Sequence, residues 1–201
     1  MKRILFLLLV LVLFANISLA VTIPGGGTLV QSGSGDYSIL GNIVTIKSDV
    51  YSYISGEYVY AYQVANTSSV PLSFFSVAIY PGADVTNEAY DATGALVTPD
   101  SWGRVVVASQ VVSVNAGFNS DTLDNNGISS ATLWFKSTYA PSAGSAAVFG
   151  TSSGFPQYAG GTPVSGKVYV PTLVPEPTTI ALLGLGMVAL RGIKKRNGRK
   201  A

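Results

Sequence analysis

Between residues 21 and 173 apolar and polar positions rarely keep one pattern for long. Gly25-Gly26-Gly27, Gly33-Ser34-Gly35, Pro81-Gly82 and Gly160-Gly161 break the chain, and no stretch between them holds a helical period over three turns. Period two appears instead. Glu57 to Val64 places Tyr58, Tyr60, Tyr62 and Val64 on one face and Val59, Ala61 and Gln63 on the other. Successive side chains of a strand alternate faces, so this reads as a strand carrying an aromatic ladder. Leu72–Ile79 is rich in aromatic and β-branched residues, and Ala131–Lys136 alternates Trp134 against Leu133 and Phe135. Arg104–Val107 and Gln110–Val114 predict a hairpin through Ala108-Ser109. Ile39–Lys47, Ala146–Phe149 and Lys167–Val170 each predict one strand more.

Seven to nine short strands separated by turn signals predict an all-β ectodomain, a sandwich or jelly-roll-like fold. About 150 residues suffice for two sheets over one core. The expected core is Tyr58, Tyr60, Tyr62, Val64, Phe75, Val77, Val105, Val107, Leu133, Phe135 and Val148. A register error of one residue would invert any of these assignments.

The two ends follow other patterns. Lys2 and Arg3 precede the unbroken apolar run Ile4–Ala15, and Ser18-Leu19-Ala20 sets small residues where signal peptidase inspects the chain. Residues 1–20 therefore predict a secretory signal helix, exported by the Sec translocon and cleaved between Ala20 and Val21. At the other end, Val174-Pro175-Glu176-Pro177 precedes the uncharged Thr178–Leu190 segment, then Arg191, Lys194, Lys195 and Arg196. Thirteen helical residues reach about 20 Å, against a bilayer core of about 30 Å. Ile193 and a snorkelling Arg191 lengthen that reach, so a single transmembrane helix over 178–193 is feasible. The basic tail, 191–200, belongs on the cytoplasmic side, which places residues 21–173 outside. A buried helix would show a polar face, and Thr178–Leu190 has none.

Val-Pro-Glu-Pro, a short Gly/Leu/Ala-rich span (Leu182, Leu183, Gly184, Leu185, Gly186) and a basic cluster, in that order, resemble the PEP-CTERM sorting signal. The resemblance covers 174–196 and divides the chain into a signal peptide (1–20), the ectodomain (21–173) and the sorting segment (174–201). It implies recognition by an exosortase, a transpeptidase-like membrane enzyme of exopolysaccharide-producing Gram-negative bacteria. It also implies removal of the tail near Pro175–Pro177 and passage from an inner-membrane-anchored precursor to the cell surface or extracellular matrix. Tyr60–Asn66 with Pro71-Leu72, and Phe135–Pro141, also resemble strands of β-sandwich domains that precede such tails.

Charge sharpens this division. The chain carries 12 Lys+Arg and 10 Asp+Glu, but between residues 21 and 174 only Lys47, Arg104, Lys136 and Lys167 face nine carboxylates, a net of −5. The basic residues belong to the ends, so no nucleic-acid partner is expected of the body. With no His and no Cys, disulfides, thiolate chemistry, His- or Cys-ligated zinc and every Ser-His-Asp mechanism are excluded.

What chemistry remains is sparse. Asp121 and Asp124, in Asp121-Thr122-Leu123-Asp124-Asn125-Asn126-Gly127, offer oxygen ligands to calcium, but EF-hand spacing is absent and Asn126-Gly127 reads as a turn. Asp84, Glu88 and Asp91 are either solvated loop carboxylates or a glycoside-hydrolysing pair. Trp102, and the Tyr51/Tyr53 pair, are either sugar-stacking aromatics or packed ones. Asn66-Thr67-Ser68 matches a glycosylation sequon. The expectation is a non-enzymatic surface or matrix protein without metal or cofactor, with exopolysaccharide as a possible partner. The alternative is a carbohydrate-binding module or adhesin.

Overall fold

The computed structural model describes residues 26–92, 97–118, 123, 128–152 and 155–172, and all regular structure among them is β. The strands are β1 (Thr28–Ile39), β2 (Asn42–Ser52), β3 (Tyr58–Asn66), β4 (Leu72–Ala78), β5 (Thr86–Asp91), β6 (Ser101–Val107), β7 (Gln110–Gly117), β8 (Ile128–Ser129), β9 (Thr132–Ser137), β10 (Pro141–Gly144), β11 (Ala146–Ser152), β12 (Phe155–Gly161), β13 (Ser165–Gly166) and β14 (Val168–Pro171). A large sheet runs β13-β1-β2-β3-β9-β5, with β8 also on β3. A second runs β12-β11-β4-β7-β6, and β10-β14 forms a two-stranded ribbon. Every pairing between named strands is antiparallel. The sheets pack as a sandwich around one core (the signal and transmembrane helices expected at the two ends lie outside the described residues).

The tyrosine ladder of β3 forms the middle of that core. Tyr60, Tyr62 and Val64 are fully buried, as are Phe75, Val77, Leu133, Phe135 and Val148. Tyr60 stacks on Phe135 at 5.4 Å between ring centroids, and Tyr62 contacts Phe135 at 5.8 Å and Phe75 at 6.0 Å. Each ring brings a hydroxyl that must be paired when buried. Tyr60 donates to the Tyr139 carbonyl and Tyr62 to the Tyr169 carbonyl, both at 2.7 Å. Tyr37 accepts from the Ala146 amide at 3.1 Å. The ribbon therefore closes the core with the Tyr169 carbonyl as well as with Val168 and Val170, and the Tyr169 amide donates to the buried Ser48 hydroxyl at 3.0 Å.

Three expectations are corrected. Val105 and Val107 are exposed, and Tyr58 is half-buried against the core. The β6–β7 pairing shifts register at Val105/Val106 as the hairpin nears its turn, and the buried side chains of β7, Val114 and Ala116, lie farther from the turn, opposite Arg104 and Trp102. Ile39–Lys47 is not one strand but the tip of the β1–β2 hairpin, turned at Leu40-Gly41 with φ of 51° and 78°. The hairpin at Ala108-Ser109 forms as expected, although both residues adopt positive φ (49° and 65°) without a glycine.

Asn66 is a second internal anchor. It is fully buried, donates to the Val70 and Leu123 carbonyls at 2.8 and 2.6 Å, and accepts from Ser68 through backbone and hydroxyl. Its amide holds the loop between β3 and β4, so the sequon is a structural turn rather than an accessible acceptor.

Candidate functional site

Two of the carboxylates singled out from sequence, Asp84 and Glu88, are engaged separately. Asp84 Oδ1 accepts from the Ser137 hydroxyl at 2.9 Å and from the Thr138 amide and hydroxyl at 2.9 and 3.1 Å. Glu88 Oε1 is buried 3.0 Å from Arg104 Nε, an ion pair without a well-directed hydrogen bond, while Arg104 Nη1 donates to the Val85 carbonyl at 2.7 Å. These contacts tie β5 to β6 and the 79–85 loop to the end of β9. Among the described residues no three acidic side chains gather to hold a metal ion. Asp121 and Asp124 lie outside the described residues.

Trp102 is half-buried and turned toward the core. Its indole stacks on Phe75 at 6.4 Å and 10°, approaches Phe135 at 6.4 Å, and donates its N–H to the Trp134 carbonyl at 3.0 Å. Tyr53 lies under Lys136 Nζ, 5.8 Å from the ring centroid, and Lys136 in turn pairs with Glu57 at 3.5 Å. Burial raises the Tyr51 hydroxyl above its ordinary pKa, helped by the nearby Asp49 carboxylate.

The feature that the sequence did not single out is the outer face of β1, β2 and β3. Ser32, Gly33 and Ser34 of β1, Thr45 and Lys47 of β2, and Gln63 and Ala65 of β3 line an open concavity of ≈ 470 Å³. Its polar groups are held in place. Ser32 donates to Asp49 at 2.6 Å, Lys47 pairs with Asp49 at 3.3 Å, Thr45 donates to Asp36 at 2.8 Å, and Gln63 Nε2 donates to the Ser130 carbonyl at 3.2 Å. The registers Ser32↔Asp49, Asp49↔Ala61 and Ala61↔Trp134 put half-buried Trp134 on this same face, in the row beside the concavity. The alternation of Trp134 against Leu133 and Phe135 already carried that outward orientation. The grouping of Ser32, Ser34, Lys47 and Gln63 depends on cross-strand register and had no local signal.

The sorting residues, Val174, Pro175, Glu176 and Pro177, the basic stop Arg191, Lys194, Lys195 and Arg196, and the cleavage pair Ala20 and Val21 lie outside the described residues. The fold nevertheless fixes where the tail departs. Thr172, one residue past β14, donates its amide to the Ala140 carbonyl at 3.1 Å. Ala140 follows the end of β9, where Ser137 stands in register with Tyr58, Tyr58 with Ser52, and Ser52 with Thr28. The first and last described strands therefore open at one end of the large sheet.

No curated protein and no solved structure matches the chain. A family model, the PEP-CTERM protein-sorting motif, matches residues 173–196. That motif implies exosortase-dependent sorting of an exported protein by way of a membrane-anchored precursor. With the Pro-Glu-Pro triplet, the apolar span and the basic cluster following one another in that order, the segment 173–196 carries a PEP-CTERM sorting signal.

Proposed function

We propose that this is a non-enzymatic protein of the cell surface or exopolysaccharide matrix, released from its membrane precursor by cleavage at Pro175–Pro177. The observation that carries the reading is the sorting motif at 173–196, placed directly after the last strand of an independently cored sandwich. Export begins at the signal segment, the 178–193 span retains the precursor in the inner membrane, and an exosortase exchanges that anchor for delivery outward. The absence of His and Cys from the whole sequence supports a non-catalytic body. The separate engagement of Asp84 and Glu88 supports it further.

Glu176→Ala with Pro177→Ala, introduced in the exosortase-bearing host, should leave the protein in the membrane fraction at precursor size. Unchanged surface delivery and unchanged size would refute the reading.

The second reading, a carbohydrate-binding body, is favoured by one observation. Trp134 stands beside a concavity lined with hydroxyl, amide and ammonium groups, the pairing of a flat apolar surface with polar anchors that sugars require. Trp102 fits that role less well, because its ring is occupied by Phe75.

A further inference from the structure

We infer that the end of the large sheet formed by Leu29, Val30, Tyr53 and Ile54 is a bilayer-contacting surface that works only while the chain is tethered, with the Tyr53–Glu57 turn touching the lipid interface of the precursor's own membrane. The inference rests on the reading of 178–193 as a membrane anchor and adds to it an orientation and a contact.

The first observation is chain length. Five residues, Leu173–Pro177, separate Thr172 from the start of the apolar segment at Thr178. Fully extended they span at most about 18 Å. The headgroup layer occupies roughly 6 Å of this on each side of the hydrocarbon. Whatever conformation the five residues adopt, the end of the sandwich at Thr172 is held beside the bilayer. The opposite end, at Leu40-Gly41, stands the length of β1 away, on the order of 36 Å at the usual strand rise.

The second observation is what that end displays. Leu29 pairs with Tyr51 and Thr28 with Ser52, so the start of β1 and the end of β2 lie together. The turn that follows is closed by the Tyr53 amide on the Glu57 carbonyl at 2.9 Å and the Gly56 amide on the Tyr53 carbonyl at 3.0 Å. Gly27 lies against the Tyr53 ring, where a Cβ would come within 2.8 Å of it. At the tip Ile54 is fully exposed, and Leu29 and Val30 are 51% and 42% exposed. Half-buried Tyr51 and Tyr53 flank them, the residue type that settles at headgroup level.

The third observation is charge. Glu57 takes Lys136 at 3.5 Å and the Ser55 hydroxyl at 3.2 Å, and Asp84 takes Ser137 and Thr138. Glu57, Lys136 and Asp84 are thus partnered within the protein, and the turn tip can approach an apolar layer without stranding any of the three.

A contact of one isoleucine and its neighbours is too small to hold a free protein on a membrane. A short tether supplies an effective concentration of about millimolar or above, at which such a contact is populated. Cutting the tether near Pro175–Pro177 removes that concentration, so release needs no further step to detach the body.

The test uses the exported precursor, Val21–Ala201, so that the signal segment adds no second membrane-binding run; it has no cysteine of its own. Ile54→Cys and, as control, Leu40→Cys carry one spin label each, both on exposed turns at opposite ends of the same hairpin sheet. The chain is reconstituted in phosphatidylethanolamine/phosphatidylglycerol (3:1) vesicles, and power saturation compares collision with oxygen and with an aqueous nickel chelate. The expected result is a several-fold rise in the oxygen-to-nickel ratio at 54 over 40, abolished when the chain ends at Pro177. Equal, aqueous ratios at both sites in vesicle-bound chain would overturn the contact and leave the anchor standing. A Val21–Ala201 chain that fails to float with vesicles would overturn the anchor and the contact together. A chain ending at Pro177 that stays on vesicles would overturn the tether dependence.

Discussion

The body and the tail of this protein carry information in opposite ways. Residues 173–196 have their meaning in linear order: a Pro-Glu-Pro triplet, an apolar span, a basic cluster, matched as the sorting motif. Residues 26–172 have theirs in what distant segments bring together, as when Tyr62 of β3 donates to the carbonyl of Tyr169, 107 residues on. A signal read by a processing enzyme can be recognised without a fold. A face that binds a ligand exists only once strands are in register, which is why destination is legible here and the partner of the body is not.

If the body's integrity is independent of the tail, damage to its core should be large. Phe135 touches Tyr60, Tyr62 and Trp102. Phe135→Ala should cost about 4 kcal/mol in urea unfolding, the usual range for a fully buried aromatic. A loss below about 1 kcal/mol would mean that the aromatic cluster is not the centre of the fold.

The buried tyrosines supply a smaller and pH-dependent effect. Burial pushes the Tyr37 hydroxyl up to about 12 against the opposing Ala146 hydrogen bond, and raises Tyr60 and Tyr62 further, again chiefly through desolvation. A pKa raised in the folded state contributes stability that is whole below the unfolded value, about 10. That stability is lost as pH rises from there toward the folded values. Unfolding free energy should be flat from pH 7 to 9. Above pH 10 it should fall by about 1.4 kcal/mol per unit for each tyrosine still protonated in the fold. A flat profile to pH 11 would show that these hydroxyls ionise in place.

The smallest effect is expected from the tail. A chain ending at Pro177 and one ending at Ala201, in the same mild detergent, should differ by less than about 0.5 kcal/mol, as sites without shared partners do. A larger difference would mean that the two regions are coupled.

What the sequence revealed of the fold follows the same division. Glu57–Val64 displays its aromatic alternation openly, and Tyr60, Tyr62 and Val64 are buried accordingly. Val105 and Val107 look identical to core residues in a local window. They are exposed because the β6–β7 pairing shifts near its turn and no neighbouring strand covers them. Thr28–Ile39, with its Gly33-Ser34-Gly35 interruption, gives no periodic signal, yet it is one of the longest strands. Its regularity comes from pairing with β2 along eleven positions, and Gly33 and Gly35 leave room for Lys167, Tyr169 and Pro163 where any side chain would collide. The polar concavity was hidden for the same reason: Ser34, Lys47 and Gln63 become neighbours only through two registers. Trp102 reads in sequence as a candidate stacking aromatic, whereas Trp134, on the outer face, is the one placed beside that concavity.

The central claim is that the sorting segment directs processing of the exported body. The most direct measurement is the intact mass of the protein recovered from the surface or matrix of an exosortase-bearing host. The account predicts a chain that begins at Val21 and ends between Val174 and Pro177, with the apolar span and the basic cluster gone. A surface protein whose mass still includes residues 178–201 would contradict it.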